Sequence, residues 1–309
     1  MRKGVLTEIE KLMGEDERVV FVGSDLGAGT MSRAKLEYPD RFFMEGIAEQ
    51  HIVGFAAGLA LEGFVPFVHT ISTFLTRRAL EQIIVDVALH SLPVKLIGAG
   101  GGLVYAPLGP THQAIDDFAL MRAIPGMAVT APSDAAEATD VVRASMALKG
   151  PLYLRLGKGG EPPISAEWSG FEFGRPRYVL NGDGPVILTT GVMVHECLLA
   201  ARVLSKSGIH PTVVHLPTLA PVDAAEIATL TASGQKVFVV EEHIPTGGLT
   251  TLVAEAVARS GSGATLTSIS LPMAFAVNYG SQRDHWRLHR LDHIGIAERI
   301  TSEWGLPGG

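Results

Sequence analysis

Four short apolar runs in the first half of the chain are separated by stretches with a helical period. Val19-Val20-Phe21-Val22, Pro66–Thr70, Val94–Ile97 and Met127–Thr130 each read as a buried strand, too short for a helix. Between them, Ile52, Phe55, Ala56 and Leu59 fall at i, i+3, i+4 and i+7, as do Leu80, Ile83, Ile84 and Val87. That spacing draws one apolar stripe along each of two helices. Runs without polar alternation imply strands covered on both faces, the pattern of a mostly parallel sheet clothed in helices. Leu152–Leu156 adds a last strand.

Gly157-Lys158-Gly159-Gly160-Glu161-Pro162-Pro163 then breaks every period, and Gly170–Arg177 reads as an irregular continuation. This divides the chain into a first domain over 1–160, a linker over 161–180 and a second domain over 181–309. In the second domain Val186–Thr189, Thr212–His215, Val237–Val240 and Thr265–Ile269 read as strands. Helical stripes follow in Val194, Cys197, Leu198 and Ala201, and in Leu249, Leu252, Val253 and Ala256. The tail from Gln282 reads as helix. The fold class is α/β, in two units of similar grammar.

Composition narrows the function. Of 309 residues, 47% are apolar and 18% charged, enough to bury a large core, so disorder is excluded as the main state. The net charge of −7, with no Lys/Arg cluster, provides no face for nucleic acid. A small anionic substrate needs only one or two arginines. The single cysteine, Cys197, excludes an internal disulfide and a Cys-based zinc site. Apolar runs are too short for a membrane span, and Met1–Glu8 lacks the apolar stretch of a signal peptide, so a cytoplasmic protein is expected.

In parallel sheets, ligands bind at the carboxyl ends of the strands. Three polar stretches lie after strands or open helices: Gly46-Ile47-Ala48-Glu49-Gln50-His51, Ser72-Thr73-Phe74-Leu75-Thr76-Arg77-Arg78, and Gly109-Pro110-Thr111-His112-Gln113. Each alone has a plain structural explanation. A Glu suits the first helical turn, a Phe suits a core, and a His after a glycine suits a surface. Together and in this order they resemble the pyrimidine-binding domain of the transketolase family of thiamine-diphosphate enzymes. Leu120–Met127, Ala131-Pro132-Ser133-Asp134 and Tyr153-Leu154-Arg155 continue the likeness. Gly191-Val192-Met193, Glu241-Glu242-His243 and Gly247-Gly248 resemble the family's C-terminal domain. The resemblance implies two three-layer α/β/α domains, a parallel pyrimidine-binding domain followed by a mixed-sheet C-terminal domain.

It also implies the chemistry. Thiamine diphosphate must lose its thiazolium C2 proton, and its aminopyrimidine takes that proton once a carboxyl group bonded to N1′ favours the imino form. Glu49 matches that carboxyl group, and an apolar pocket around it would suit proton sharing. Phe74 matches the aromatic that stacks on the ring. Asp25 and Leu26, after the first strand, match a loop lining the cofactor. His112 matches a His over the thiazolium, placed to move protons or bond an oxyanion. Arg155 matches an Arg that grips the substrate phosphate. The implied reaction moves a two-carbon ketol unit from a ketose donor to an aldose acceptor, with sugars or sugar phosphates as substrates.

Three positions depart from the family. Leu108 stands where many transketolases carry a hydroxyl-binding Asp, Gly98–Gly102 has no His, and Ile71 replaces an aromatic. The family's diphosphate and Mg²⁺ ligands, Gly-Asp-Gly with a later Asn, have no counterpart. Gly182-Asp183-Gly184 lies between the domains with no Asn in 186–239, and reads as a turn. No metal ligand is therefore assigned to this chain. The likeness is to the C-terminal section of a split transketolase, with an N-terminal subunit supplying the diphosphate and Mg²⁺ side, in a dimer or α2β2 assembly. His285, His289 and His293 recur every four residues, read as one solvated helix face. Ser72–Leu75 with Arg77 also resembles 1-deoxyxylulose-5-phosphate synthase, which decarboxylates pyruvate. The β subunit of 2-oxo-acid dehydrogenases shares the two-domain plan. A non-catalytic scaffold subunit is the reading from another class.

Overall fold

The computed structural model describes residues 1–25, 29–164, 168, 170–232 and 236–304. The chain divides into two compact units: unit 1, residues 1–101 with 120–172, and unit 2, residues 102–119 with 173–309.

Unit 1 is organised by apolar strands. β1 (Val19–Gly23), β2 (Phe42–Met44), β3 (Val65–Ile71), β4 (Lys95–Ala99), β5 (Ala128–Thr130) and β6 (Leu152–Leu156) lie in the order β5-β6-β4-β3-β1-β2, all parallel. β1, β4 and β6 are buried at every position, as strands covered on both faces must be. Because the strands are parallel, the residues after β1, β3 and β4 emerge at one edge of the sheet.

The helices are α1 (Arg2–Glu15), α2 (Ser32–Glu37), α3 (Glu49–Leu61), the single turn α4 (Leu80–Gln82), α5 (Asp117–Arg122), which runs across the division at 119, and α6 (Ala135–Ser145). α1 buries Val5, Leu6, Ile9, Leu12 and Met13 and packs on α6 and β1. Asp134 caps α6 by accepting from the amides of Ala136 and Glu137, each at 3.0 Å. α3 turns Ile52, Val53, Ala56, Ala57 and Ala60 inward, while Phe55 and Leu59 stay half-buried. The expected stripe is thus rotated. α3 is apolar around most of its circumference, so its pattern underdetermines which face packs.

The stripe expected at Leu80, Ile83, Ile84 and Val87 fails for a different reason. Phe74–Arg78 and Ile83–Ala88 are π-helical on either side of α4. Bonds from i to i+5 widen the turn, so residues three and four apart no longer stack. Ile83 and Val87 are fully buried, but Ile84 is 38% exposed.

In unit 2, β7 (Arg177–Leu180), β8 (Val186–Thr189), β9 (Thr212–His215), β11 (Lys236–Val240) and β12 (Thr265–Ile269) form a five-stranded sheet in the order β12-β11-β8-β9-β7. β10 (Thr218–Ala220) is not part of it. β7 is antiparallel to β9 and the others are parallel, so the sheet is mixed, as expected. β7 falls in the stretch expected to be irregular; its only signal is a weak alternation of half-buried and exposed residues at a sheet edge. The helices are α7 (Met193–Ser205), α8 (Ala224–Leu230), α9 (Leu249–Ser260), α10 (Gln282–Leu288) and α11 (His293–Trp304). Among the described residues no helix is long and apolar enough to cross a membrane.

Two buried groups in unit 1 set a pH dependence. His69 on β3 is pushed down to about 4 by burial. Its Nδ1 meets the Ile97 carbonyl at 3.2 Å, while Nε2 has no partner among the described residues. Lys95 on β4 is pushed down to about 7 by burial, although its Nζ donates to the Leu148 and Gly150 carbonyls at 3.0 Å. Both groups are less basic folded than unfolded, so the unfolded chain binds more protons between each pair of values. Stability should therefore rise with pH from about 4 to 6.5 through His69 and from about 7 to 10.5 through Lys95, by at most ~1.4 kcal/mol per pH unit for each group. Urea unfolding across this range checks it: His69→Gln should flatten the lower limb and Lys95→Met the upper.

Candidate active site

Glu49 is the first residue of α3, where a carboxylate favours the positive end of the helix. That accounts for its place in the helix but not for its burial, since its side chain is only 1% exposed. Its two oxygens are engaged separately. Arg78 Nη1 donates to Oε2 at 2.5 Å, and Thr70 Oγ1 to Oε1 at 3.4 Å. The surroundings are thus a cation and a hydroxyl, not the apolar pocket expected. The sequence pattern could not have revealed this, because Arg78 sits 29 residues away on the π-helical stretch after β3.

Phe74 opens that stretch and is half-buried. The Arg78 guanidinium lies over its ring, 4.4 Å from the centroid. Glu49, Arg78 and Phe74 therefore form one cluster. Asp25 is linked to it along the sheet edge: Ser24 Oγ bonds Asp25 Oδ1 and Thr70 Oγ1, each at 3.0 Å. Asp25 itself is exposed. Leu26 lies outside the described residues. Ser72 Oγ and Thr73 Oγ1, just before Phe74, are buried without a hydrogen-bond partner among the described residues. Neither Thr70 nor Arg78 carried a sequence signal of its own.

Arg155 on β6 is 7% exposed, and its stem lies flat against Gly101. A Cβ at Gly101 would stand 2.1 Å from Arg155 Nε and 2.3 Å from its Cγ. Gly101 is thus a position where only a bare backbone lets the arginine pass. Gly101→Ala should displace Arg155 and cost about 1–3 kcal/mol through overpacking. A melting temperature equal to the wild type's would contradict that close approach.

His112 lies in the segment 102–119, which groups with unit 2. It ends a short 3-10 turn, Pro110–His112, is half-buried, and has Thr111 Oγ1 3.0 Å from its Nδ1. The segment 102–119 is held by the Glu241-Glu242-His243 run. Glu242 Oε1 accepts from the Leu103 amide at 3.2 Å, from Gln282 Nε2 at 2.8 Å and from Trp286 Nε1 at 2.7 Å. The amide of Ile244 donates to the Ile115 carbonyl at 3.0 Å. Glu241 caps α9 through the amides of Leu249 and Thr250, at 2.7 and 2.9 Å. Gly248 permits this, because a Cβ there would fall 2.2 Å from Glu241 Oε2. These residues are architectural: they fix the loop that bears His112. Leu108, just before it, is 55% exposed.

The three spaced histidines do not share a helix face. His285 lies in α10 at 1% exposure, His289 follows the end of that helix, Arg290 turns at φ 57°, and His293 starts α11 bonded through Nδ1 to Glu196 at 3.0 Å. The burial of His285 also corrects the expected solvated face. Gly182-Asp183-Gly184 is a bend held at the start of β9, with the Gly182 amide donating to Thr212 Oγ1 at 3.1 Å and the Gly184 amide to the His210 carbonyl at 2.7 Å.

The model of the transketolase pyrimidine-binding domain matches residues 1–161, and that of the transketolase C-terminal domain matches residues 176–288. The 1-deoxy-D-xylulose-5-phosphate synthase of Chlorobium luteolum is 40% identical over 297 residues, 95% of this chain but 46% of that protein. The chain thus spans about half the length of such synthases. A Methanocaldococcus jannaschii protein described as a transketolase C-terminal section is 35% identical over 98% of this chain and 96% of its own length. Among solved structures, a split gene transketolase in an inactive beta4 tetramer aligns with TM-score 0.87 and 31% identity, over 97% of this chain and 96% of that one. The transketolase and synthase domains imply a dependence on thiamine diphosphate. With both domain models matched in order, this chain belongs to the transketolase family and carries its pyrimidine-binding and C-terminal domains.

Proposed function

We propose that this chain is the pyrimidine-side subunit of a split, thiamine-diphosphate-dependent transketolase that moves a two-carbon ketol unit from a ketose to an aldose. The observation that carries this reading is the buried Glu49 carboxylate joined to the Phe74 ring through the Arg78 guanidinium. These residues fit the aminopyrimidine of the cofactor. A buried acid that bonds a planar nitrogen group, and an aromatic face already bearing such a group, are what that ring requires.

Bound thiamine diphosphate supplies a thiazolium carbon that becomes nucleophilic on losing its proton. Glu49 holds a proton at the ring nitrogen it bonds. Phe74 orients the ring without adding charge. Asp25 and Leu26 line the cofactor in this reading. His112 stabilises oxyanion charge and moves a proton, and Arg155 grips a substrate phosphate with its fork. The diphosphate and Mg²⁺ are assigned to an N-terminal subunit, in an α2β2 assembly. Two relatives support that division: one is a transketolase C-terminal section of this length, and the other a split gene transketolase whose beta4 tetramer is inactive.

The 40% identity to a 1-deoxy-D-xylulose-5-phosphate synthase favours a second reading, with pyruvate as donor. The two differ in one product. With the N-terminal subunit present, a ketose phosphate and an aldose should exchange two carbons without gas, and labelled pyruvate should yield no CO₂. Release of CO₂ in step with a new sugar would replace the transketolase reading with the synthase one.

A further inference from the structure

Arg78 is the one member of the cluster with no role in the function above. It makes two contacts. Its guanidinium donates to the buried oxygen of Glu49 at 2.5 Å, and it lies on the Phe74 ring 4.4 Å from the centroid. These are the two contacts proposed for the aminopyrimidine: a nitrogen on the carboxyl group and a flat face on the aromatic. A guanidinium is itself planar, delocalised and rich in N–H donors, and it stacks on aromatic rings. One seat cannot hold both groups.

Exposure gives the direction of exchange. The Glu49 side chain is 1% exposed and that of Arg78 is 42%. The guanidinium covers the carboxylate on its solvent side, and a long side chain of that exposure can leave into water. A buried carboxylate left without a partner is costly, so the seat favours an occupant with N–H donors. Phe74 and Arg78 bound the five-residue π-helical stretch, and π turns recur at functional sites.

We propose that Arg78 is a seat-holder: in the cofactor-free chain its guanidinium stands where the aminopyrimidine binds, and it moves to solvent when the ring arrives. The proposal rests on the reading of Glu49 and Phe74 given above. It makes Arg78 a positioning residue that preserves the site and sets its apparent affinity. If the arginine is seated nine-tenths of the time, the apparent affinity for the ring falls about tenfold.

The test uses the full chain and two probes, methylguanidinium and 4-amino-5-hydroxymethyl-2-methylpyrimidine, both read by thermal shift and calorimetry. Arg78→Ala should lower the melting temperature, and millimolar methylguanidinium should restore it in the variant but not in the wild type. The aminopyrimidine should bind the variant at least ~10-fold more tightly than the wild type, and methylguanidinium should compete with it. Arg78→Lys keeps the charge but cannot lie flat on Phe74; it should gain affinity for the ring, by less. This variant decides the matter if the alanine form does not fold. Unchanged or weaker aminopyrimidine binding in the variants, or simultaneous binding of both probes, would overturn the proposal. Failure of the assembled wild-type enzyme to bind thiamine diphosphate would instead remove the functional reading, while competition between the probes would still report on the seat.

Discussion

Glu49→Gln, measured in the assembled enzyme, is expected to lower kcat by ~10²–10⁴-fold, the range that general acid–base catalysis supplies. The amide keeps the shape of the carboxyl group and still bonds a ring nitrogen, but it cannot hold and return a proton. The fold should survive the change. Glu49 opens α3, Ile52, Val53 and Ala56 supply the packing of that helix, and Arg78, 42% exposed, can turn to water when its partner loses charge. Far-ultraviolet circular dichroism and melting temperature should stay near wild type. A rate within a few-fold of wild type would remove Glu49 from the chemistry and with it the cofactor assignment. A collapse of the fold would instead make the carboxylate a structural partner of Arg78.

Much of this architecture can be read from the chain. β8 and β9 match the runs that predict them, residue for residue, because strands covered on both faces need apolar runs; β12 matches in its bounds too, but as a mostly half-buried edge strand in which Leu266 and Ile269 are interleaved with Thr and Ser. α1 carries a helical period in Val5, Leu6, Ile9, Leu12 and Met13. β2 is not, since three residues carry no period. The π-helical stretches are illegible for a physical reason. Periodicity arguments assume 3.6 residues per turn, and Phe74–Arg78 and Ile83–Ala88 depart from it.

The candidate site divides along the same line. Glu49, Phe74, His112 and Arg155 stand out by type and order, as motif residues do. What surrounds them depends on contacts far apart in sequence. Thr70 and Arg78 reach Glu49 across 21 and 29 residues. Glu242 holds the segment of His112 from 139 residues away. Residue type reports the chemistry a side chain can do, whereas its partners follow only from the fold.

The second large effect concerns what this chain lacks in these 309 residues. Its one Gly-Asp-Gly is a bend against His210, with no Asn in the following stretch to complete a diphosphate and Mg²⁺ site. The pyrimidine side alone offers one carboxyl group and one ring face. Most of the charge on thiamine diphosphate lies in the diphosphate, which the proposal assigns to the N-terminal subunit. The isolated chain should therefore show negligible affinity for the cofactor and no transfer activity, and both should appear together when the N-terminal subunit is added. Titration calorimetry with thiamine diphosphate and Mg²⁺, on the chain alone and then on the equimolar mixture, tests this most directly. The account predicts at most weak, Mg²⁺-independent binding through the ring for the chain alone, and saturable, Mg²⁺-dependent binding for the mixture. Tight, Mg²⁺-dependent binding to the isolated chain would contradict it.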